Sequence, residues 1–357
     1  MILSARTAAQ FLRVHGLIPD EAFVDGDVLI EDVSKRNLNM RARSSAVPSF
    51  FLKQGIGQEG RDSVACEADV YAAIEQSGQP IRCFLPRLIG FDADDQVLML
   101  EMVADAEDLE QYHTRLGRFP AGVGAALGQA LAGLHAIEAP AEDGGRLNRA
   151  PAWALSFHHL GVEALGDLSP GNLEVASLVQ RYPALGATFD NLSDAWRAEA
   201  LCHFDLKWDN VLLASSRSDF AKRLRIIDWE AAGYGDPAWD VGCVLTAWLA
   251  FWVRSMAMTR GITSERLAET ARHPLATMHH SIRAFWRSYV SGAELADAAA
   301  FLRRAMRYVA PRLVEEAVAQ SQMATGASSR ARLLVQLAAN VSQRPEQAVS
   351  LLGLDES

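Results

Sequence analysis

The chain has 357 residues, half of them apolar, and a formal net charge of -10. That length gives room for two lobes with a large core, and the negative balance excludes a general nucleic-acid binder. Four scattered cysteines, Cys66, Cys83, Cys202 and Cys243, form no CxxC pair and no disulfide pattern, so a reducing cytoplasm is the expected compartment.

In chain order, residues 1–19 lack the long apolar core of a signal peptide and read as an amphipathic helix, with Leu12 and Leu17 on its apolar side. Residues 28–33 read as a first strand, 40–44 as part of a second after a turn at 35–39, and 50–53 as a third. Residues 62–76 have helical spacing, with Val64, Ala68, Tyr71 and Ile74 on one side. Residues 86–91 and 97–103 give two more strands. From Ala104 the pattern is helical, apart from a loop near residue 205 and a strand at 224–228. Residues 139–190 are irregular, with Pro140, Gly144, Gly145, Pro151 and Ser169-Pro170-Gly171 as breakers. Residues 241–253 are the most apolar run; thirteen residues between Asp240 and Arg254 are too few to span a bilayer and fit a buried helix. Tail helices are predicted at 275–291, 295–320 and 331–342, with Pro311 kinking the second. Arg303, Arg304, Arg307 and Arg312 read as its solvated face.

The chemistry is concentrated in His203-Phe204-Asp205-Leu206-Lys207-Trp208-Asp209-Asn210. The H-x-D-x-x-x-x-N spacing is that of a kinase catalytic loop, in which the Asp orients the attacking hydroxyl and the Asn holds a metal ion. Eighteen residues later, Ile226-Ile227-Asp228-Trp229-Glu230 sets a second metal-ligand candidate, Asp228, at the end of a β-branched run. Upstream, Phe50-Phe51-Leu52-Lys53 is an apolar strand ending in lysine, and Glu67 follows on a helix. The order lysine, glutamate, Asp/Asn loop, metal Asp is the order a kinase uses. A transferring phosphoryl group spreads negative charge over its oxygens, so catalysis is mostly positioning and charge compensation. Lys53 is expected to hold the α/β-phosphates of ATP and Glu67 to hold Lys53. Asn210 and Asp228 offer hard oxygen ligands for Mg²⁺, and Asp205 would accept a hydrogen bond from the acceptor hydroxyl. Only four lysines stand against thirty arginines, yet Lys53 and Lys207 occupy catalytic slots, where a compact ammonium is not equivalent to a guanidinium.

These residues resemble the aminoglycoside phosphotransferase and choline kinase-like superfamily, the small-molecule branch of the protein-kinase fold. The resemblance extends to Leu127-Gly128-Gln129-Ala130-Leu131-Ala132-Gly133-Leu134-His135, similar to the family's helix ending in Leu-His, and to Gly235-Asp236-Pro237-Ala238-Trp239-Asp240, similar to its Gly-Asp-Pro-x-x-Asp segment. It implies an α+β, bilobal fold: a small five-stranded lobe over residues 1–103 and a large, mainly helical lobe over 104–357. It also implies a hinge at Leu100-Glu101-Met102-Val103, where backbone near Glu101 and Val103 contacts adenine, and a structural Asp240 bracing the catalytic loop. Three features depart from the family. The turn Ser34-Lys35-Arg36-Asn37-Leu38-Asn39 has no glycine, so Lys35 or Arg36 would contact phosphate by side chain. Phe204 stands where the family has glycine. Lys207 lies two residues after Asp205, as in Ser/Thr protein kinases, which tilts the acceptor towards a peptide hydroxyl.

Several patterns carry a blander reading. Gly55-Ile56-Gly57-Gln58-Glu59-Gly60 matches G-x-G-x-x-G, but no acid ends a following strand, and the run comes after Lys53 rather than before it; it reads as a flexible linker. The pairs His158-His159 and His279-His280 lack metal-site spacing, and His203 reads as a packed histidine. Asp105, Glu107, Asp108 and Glu110 suit a helix start; the sharper reading is a cationic acceptor held below the hinge. The expected reaction is ATP-dependent transfer to a hydroxyl of a small molecule: an aminoglycoside, amino alcohol, sugar or related metabolite. The alternatives are a Ser/Thr kinase for a precursor peptide in natural-product biosynthesis, working with a separate lyase, and a non-catalytic kinase-fold scaffold. The 139–190 insertion would shape the acceptor site. No nucleic-acid or membrane partner is expected; a partner enzyme or a homodimer stays open.

Overall fold

Alternation along the strands decides how the amino-terminal sheet packs. The computed structural model describes residues 1–34, 37–45, 47–141, 147–161, 166, 168–216, 218–258 and 264–355. Strands β1 (Val28–Asp32), β2 (Leu38–Ser44), β3 (Phe50–Gln54), β4 (Leu88–Asp92) and β5 (Val97–Glu101) form one antiparallel sheet in the order β1-β2-β3-β5-β4. Met40, Phe50, Leu52, Val97 and Met99 turn to one face, under helix α1 (Ala5–Val14) and the short α2 (Asp20–Val24). Phe51, Leu98 and Leu100 turn to the other, towards helix α3 (Gly57–Ser77) and the main core. Lys53 has the parity of Phe51, so the pleat carries it to the α3 side. Leu12 is buried under the sheet as expected; Leu17 lies beyond the end of α1 and packs on the same cluster.

Helix α3 begins at Gly57, five residues ahead of the expected start at Asp62, and absorbs most of the glycine run. The run is therefore not a flexible linker. A Cβ at Gly55 would lie 2.1 Å from the Gly60 carbonyl oxygen, so the glycines permit contact between the end of β3 and the first turn of α3. Glu67 shares the buried face of α3 with Val64, Ala68, Tyr71 and Ile74. That face delivers it to Lys53.

The rest of the chain is mainly helical. In order come β6 (Ala106–Asp108), α4 (Leu109–Leu116), α5 (Ala121–His135), α6 (Pro170–Gln180), α7 (Pro183–Asp194), β7 (Ala200–Cys202), β8 (Val211–Ala214), α8 (Phe220–Arg223), β9 (Leu224–Ile226), β10 (Gly233–Gly235), α9 (Pro237–Arg254), α10 (Ser264–Glu269), α11 (His279–Ala293), α12 (Ala298–Ser321), α13 (Ser329–Gln343) and α14 (Pro345–Leu351). Strands β6, β8 and β9 form a small sheet and β7 pairs with β10. Helix α9, capped by Asp236 with Pro237 in its first turn, is buried nearly all round and packs against α12. Pro311 does not end α12, which runs through it to Ser321. Among the described residues, no helix is long and apolar enough to cross a membrane.

An aromatic cluster supports the underside of the catalytic loop. Trp208 packs on His113 and Phe251, each at 4.7 Å between ring centroids, and His113 stacks on Phe119 at 4.7 Å. His113 Nδ1 donates to the Arg118 carbonyl at 2.7 Å. Burial lowers the His113 pKa to about 4. The folded protein therefore keeps a neutral ring where the unfolded chain takes up a proton, and stability is lost as pH falls from 6.5 towards 4. At ~1.4 kcal/mol per unit the loss is about 3 kcal/mol. Denaturant unfolding of the wild type and His113→Phe at pH 7 and pH 4 checks this. The stability difference is expected to move by about that amount, in favour of the variant at the lower pH.

Candidate active site

The hairpin of β8 and β9 brings Asn210 and Asp228 to one end. Val211 pairs with Ile226, and the Ile227 N–H donates to the Asn210 carbonyl at 3.0 Å. His203 is fully buried; its Nε2 lies 3.0 Å from the Ile227 carbonyl and its ring packs on Trp229 at 4.6 Å, the packed role expected of it. Asp240, fully buried in the first turn of α9, accepts the His203 N–H at 2.7 Å and the Phe204 N–H at 2.9 Å. His135, the last residue of α5, bridges the Tyr289 hydroxyl at 2.8 Å and Asp240 at 3.4 Å.

Phe204 has φ of 67°, the left-handed region that glycine adopts freely. The strain of a side chain there is about 1–3 kcal/mol. Losing a buried phenylalanine ring costs roughly 3–5 kcal/mol, and this ring is buried against Trp196 at 5.6 Å. Burial wins. The Phe204 carbonyl also accepts from Trp239 Nε1 at 2.9 Å.

Lys53 is the centre of the second cluster. Its Nζ lies 2.8 Å from Glu67, 2.6 Å from Asp228 and 2.9 Å from Glu230. Burial pushes the ammonium pKa down, but the three carboxylates outweigh it and hold it above the ordinary value. Burial raises the Glu67 carboxyl against the opposing pull of Lys53. Asp228 has φ of 66° and its side chain is 40% exposed, whereas that of Glu67 is 2% exposed. Asp228 therefore faces the open site and Glu67 backs it. Carboxylate oxygens of Glu67, Asp228 and Glu230 converge within 4.8 Å with the Lys53 ammonium among them; Asp228 is the most exposed of the three, and its hard oxygen is of the kind Mg²⁺ takes. Three carboxylates against one ammonium leave excess negative charge, so the residues fit a divalent cation better than a bare polyphosphate.

Glu230 carried no role in the sequence. It accepts from Asn37 Nδ2 and from Ser63 Oγ, both at 3.0 Å, tying the glycine-free turn and the start of α3 to the Asp228 segment. An acid two residues after the metal-ligand candidate was the available signal. Lys35 and Arg36 lie outside the described residues.

Asp205 is held at both carboxylate oxygens. Oδ1 lies 3.4 Å from Arg312 Nη2, while Oδ2 accepts from Lys207 Nζ at 2.7 Å and from Asn210 Nδ2 at 3.3 Å. Burial would raise its pKa, but Arg312 and Lys207 outweigh burial and lower it. Arg312 corrects the expectation of a solvated arginine face. Arg303 and Arg307 are exposed and Arg304 pairs with Asp236 at 3.3 Å, but the Arg312 side chain is only 6% exposed. It falls on the stripe of Ala305, Tyr308 and Val309, the face α12 turns to α9. That spacing is readable from sequence; the ion pairs that tolerate the burial are not. A cavity of about 290 Å³ opens beside Lys207 and Arg312, with Trp208, Glu110, Arg254 and Glu316 among its walls. Arg254 bonds both Glu110 and Glu316. Asp108 caps α4 by accepting the Gln111 N–H at 2.7 Å, as expected of a helix-start acid.

At the end of β5, the Glu101 side chain pairs with Arg87 at 2.7 Å and its N–H donates to the Arg87 carbonyl. The Met102 N–H donates to Ser49 at 2.9 Å. Among the described residues no partner takes the Val103 N–H. His158 and His159 both contact Asp190 Oδ1, at 3.0 and 2.6 Å, away from this centre.

The phosphotransferase enzyme family model matches residues 32–285, most of the chain. No curated protein sequence matches it. Solved structures share the fold at low identity. A choline/ethanolamine kinase family protein from Mesorhizobium loti is 17% identical, with 91% of this chain and 92% of that chain covered and a TM-score of 0.53. The amicoumacin kinase hAmiN, in complex with AMP-PNP, Ca²⁺ and Ami, is 12% identical, with 93% and 96% covered and a TM-score of 0.54. LicA, a choline kinase from Streptococcus pneumoniae, in complex with AMP is 15% identical, with 93% and 96% covered and a TM-score of 0.51. The fold is α+β and protein-kinase-like, and the chain belongs to the phosphotransferase enzyme family.

Proposed function

We propose that this phosphotransferase moves the γ-phosphate of ATP, with Mg²⁺, to a hydroxyl of a small molecule. The observation that carries the reading is the meeting of Lys53 with Glu67 and Asp228, while the same hairpin end presents Asn210 beside Asp205. Lys53 binds the α/β-phosphates and Glu67 fixes its position. Asn210 and Asp228 hold the metal ion, which when bound neutralises phosphate charge. Backbone at Glu101–Val103 takes the adenine, and the Val103 N–H, without a partner among the described residues, suits that contact. The lobes divide between residues 103 and 104. Asp205 accepts a hydrogen bond from the acceptor hydroxyl and aligns its oxygen with the γ-phosphorus. As that oxygen bonds to phosphorus, the bond to the ADP oxygen breaks and the hydroxyl proton leaves towards Asp205. Lys207, beside Asp205, stands where it can meet the transferring group.

The cavity beside Lys207 and Arg312, the two cations that contact Asp205, is walled by α9, α12 and the catalytic loop and supports a compact acceptor over an extended peptide. Binding of AMP and AMP-PNP by the similar folds supports a nucleotide donor. The four free cysteines support a reducing, cytoplasmic compartment. Release of ADP from MgATP over a panel of amino alcohols, aminoglycosides and sugars tests the reading, and no acceptor-stimulated turnover by any hydroxyl compound would refute it.

Two expectations follow for variants. Asp205→Asn should keep the fold and MgATP affinity yet slow transfer by about 10²–10⁴-fold; a rate above a tenth of wild type (about one order of magnitude) would remove Asp205 from the reaction. At the lysine cluster, Glu67→Gln still accepts from Lys53 without neutralising it, whereas Lys53→Arg places a planar fork where a compact ammonium sits. Activity and ATP affinity should fall in the order wild type, Glu67→Gln, Lys53→Arg. Near-full activity in Lys53→Arg would take the lysine out of the phosphate slot.

A further inference from the structure

We propose that Arg312 is the positioning residue for Asp205, holding one carboxylate oxygen from α12 while Lys207 and Asn210 hold the other, so that the carboxylate keeps the orientation in which it meets the acceptor. The proposal rests on the reading of Asp205 as the carboxylate that meets the acceptor hydroxyl. Three observations carry it. The Arg312 guanidinium is split between two carboxylates: Nη2 stands 3.4 Å from Asp205 Oδ1 and Nη1 bonds Glu315 Oε2. Glu315 is itself fixed from the far side, because Trp153 Nε1 donates to Glu315 Oε1 at 3.1 Å. The Arg312 guanidinium lies 5.9 Å over the ring of Trp239, whose Nε1 holds the Phe204 carbonyl. Arg312 thus touches both the carboxylate of the catalytic loop and the indole that braces its backbone.

Position in the chain sharpens the point. The segment matched by the family ends at residue 285, and Arg312 and Glu315 lie beyond it on α12. The catalytic loop therefore depends for its carboxylate geometry on a helix outside the matched region. Lys207 can move with the loop it belongs to and cannot by itself fix Asp205 against the rest of the fold. A guanidinium planted in a buried helix can, because its planar fork has few orientations. The competing explanation is a buried Arg312–Glu315 ion pair that only holds α12 against residues 153–159.

The two are separated by MgATP hydrolysis, in which water stands in for the acceptor hydroxyl. The double variant Arg312→Met/Glu315→Gln removes both charges of the structural pair, so neither is left buried alone. Positioning predicts kcat down by about 100-fold with KM for ATP held within about twofold. Arg312→Lys, which retains a charge for Glu315 but cannot fork to both carboxylates, should fall about tenfold in kcat with its melting temperature kept. A kcat within about threefold of wild type in either variant, or a KM for ATP that rises in step with the loss, would overturn the proposal. Asp205→Asn runs beside them. If it too hydrolyses at the wild-type rate, the reading of Asp205 fails and takes Arg312 with it. If it is slow while the Arg312 variants are fast, only the Arg312 proposal fails.

Discussion

One buried carboxylate sets the geometry of this centre. Asp240 is fully buried, and its two oxygens accept the N–H groups of His203 and Phe204, the residues that lead into Asp205. A buried charge is tolerated only where hydrogen bonds replace water, and here those bonds come from the loop it organises. The same contact lets Phe204 keep a left-handed backbone, because its N–H, carbonyl and ring each have a partner on or near the start of α9. Asp205, Asn210 and the end of the β8–β9 hairpin inherit their positions from this anchor.

Around it, charge is distributed unevenly and usefully. Asp205 meets two cations, so it stays ionised, with its oxygens held from opposite sides. Lys53 meets three carboxylates, so it too stays charged, but there the surplus is negative. Glu230 adds a mechanical link, since Asn37 and Ser63 both bond to it.

Much of this is legible in the amino-acid sequence. The five strands, α3 with Glu67 on its buried face, and the His203–Asn210 loop follow from periodicity and spacing, because each is local. The bracing role of Asp240 follows from resemblance, and the structure supplies its atoms. Other features are illegible for physical reasons. Gly55 and Gly60 read as a linker because backbone contact across a strand end leaves no residue pattern. Arg312 reads as solvated because charge outweighs position along a helix; its burial depends on Asp205 and Glu315, distant in sequence or fixed by Trp153 from another segment. Glu230 is in plain view beside Asp228, but its partners Asn37 and Ser63 come from the other end of the chain.

The central claim is that Lys53, Asn210 and Asp228 form a metal-dependent nucleotide phosphate site. Calorimetric titration of a non-hydrolysable ATP analogue into the wild-type protein, with Mg²⁺ and then with excess chelator, tests it most directly. The excess of carboxylates over ammonium around Lys53 predicts binding with Mg²⁺ that weakens at least tenfold without it, about 1.4 kcal/mol or more. Equal affinity in both conditions would contradict the account.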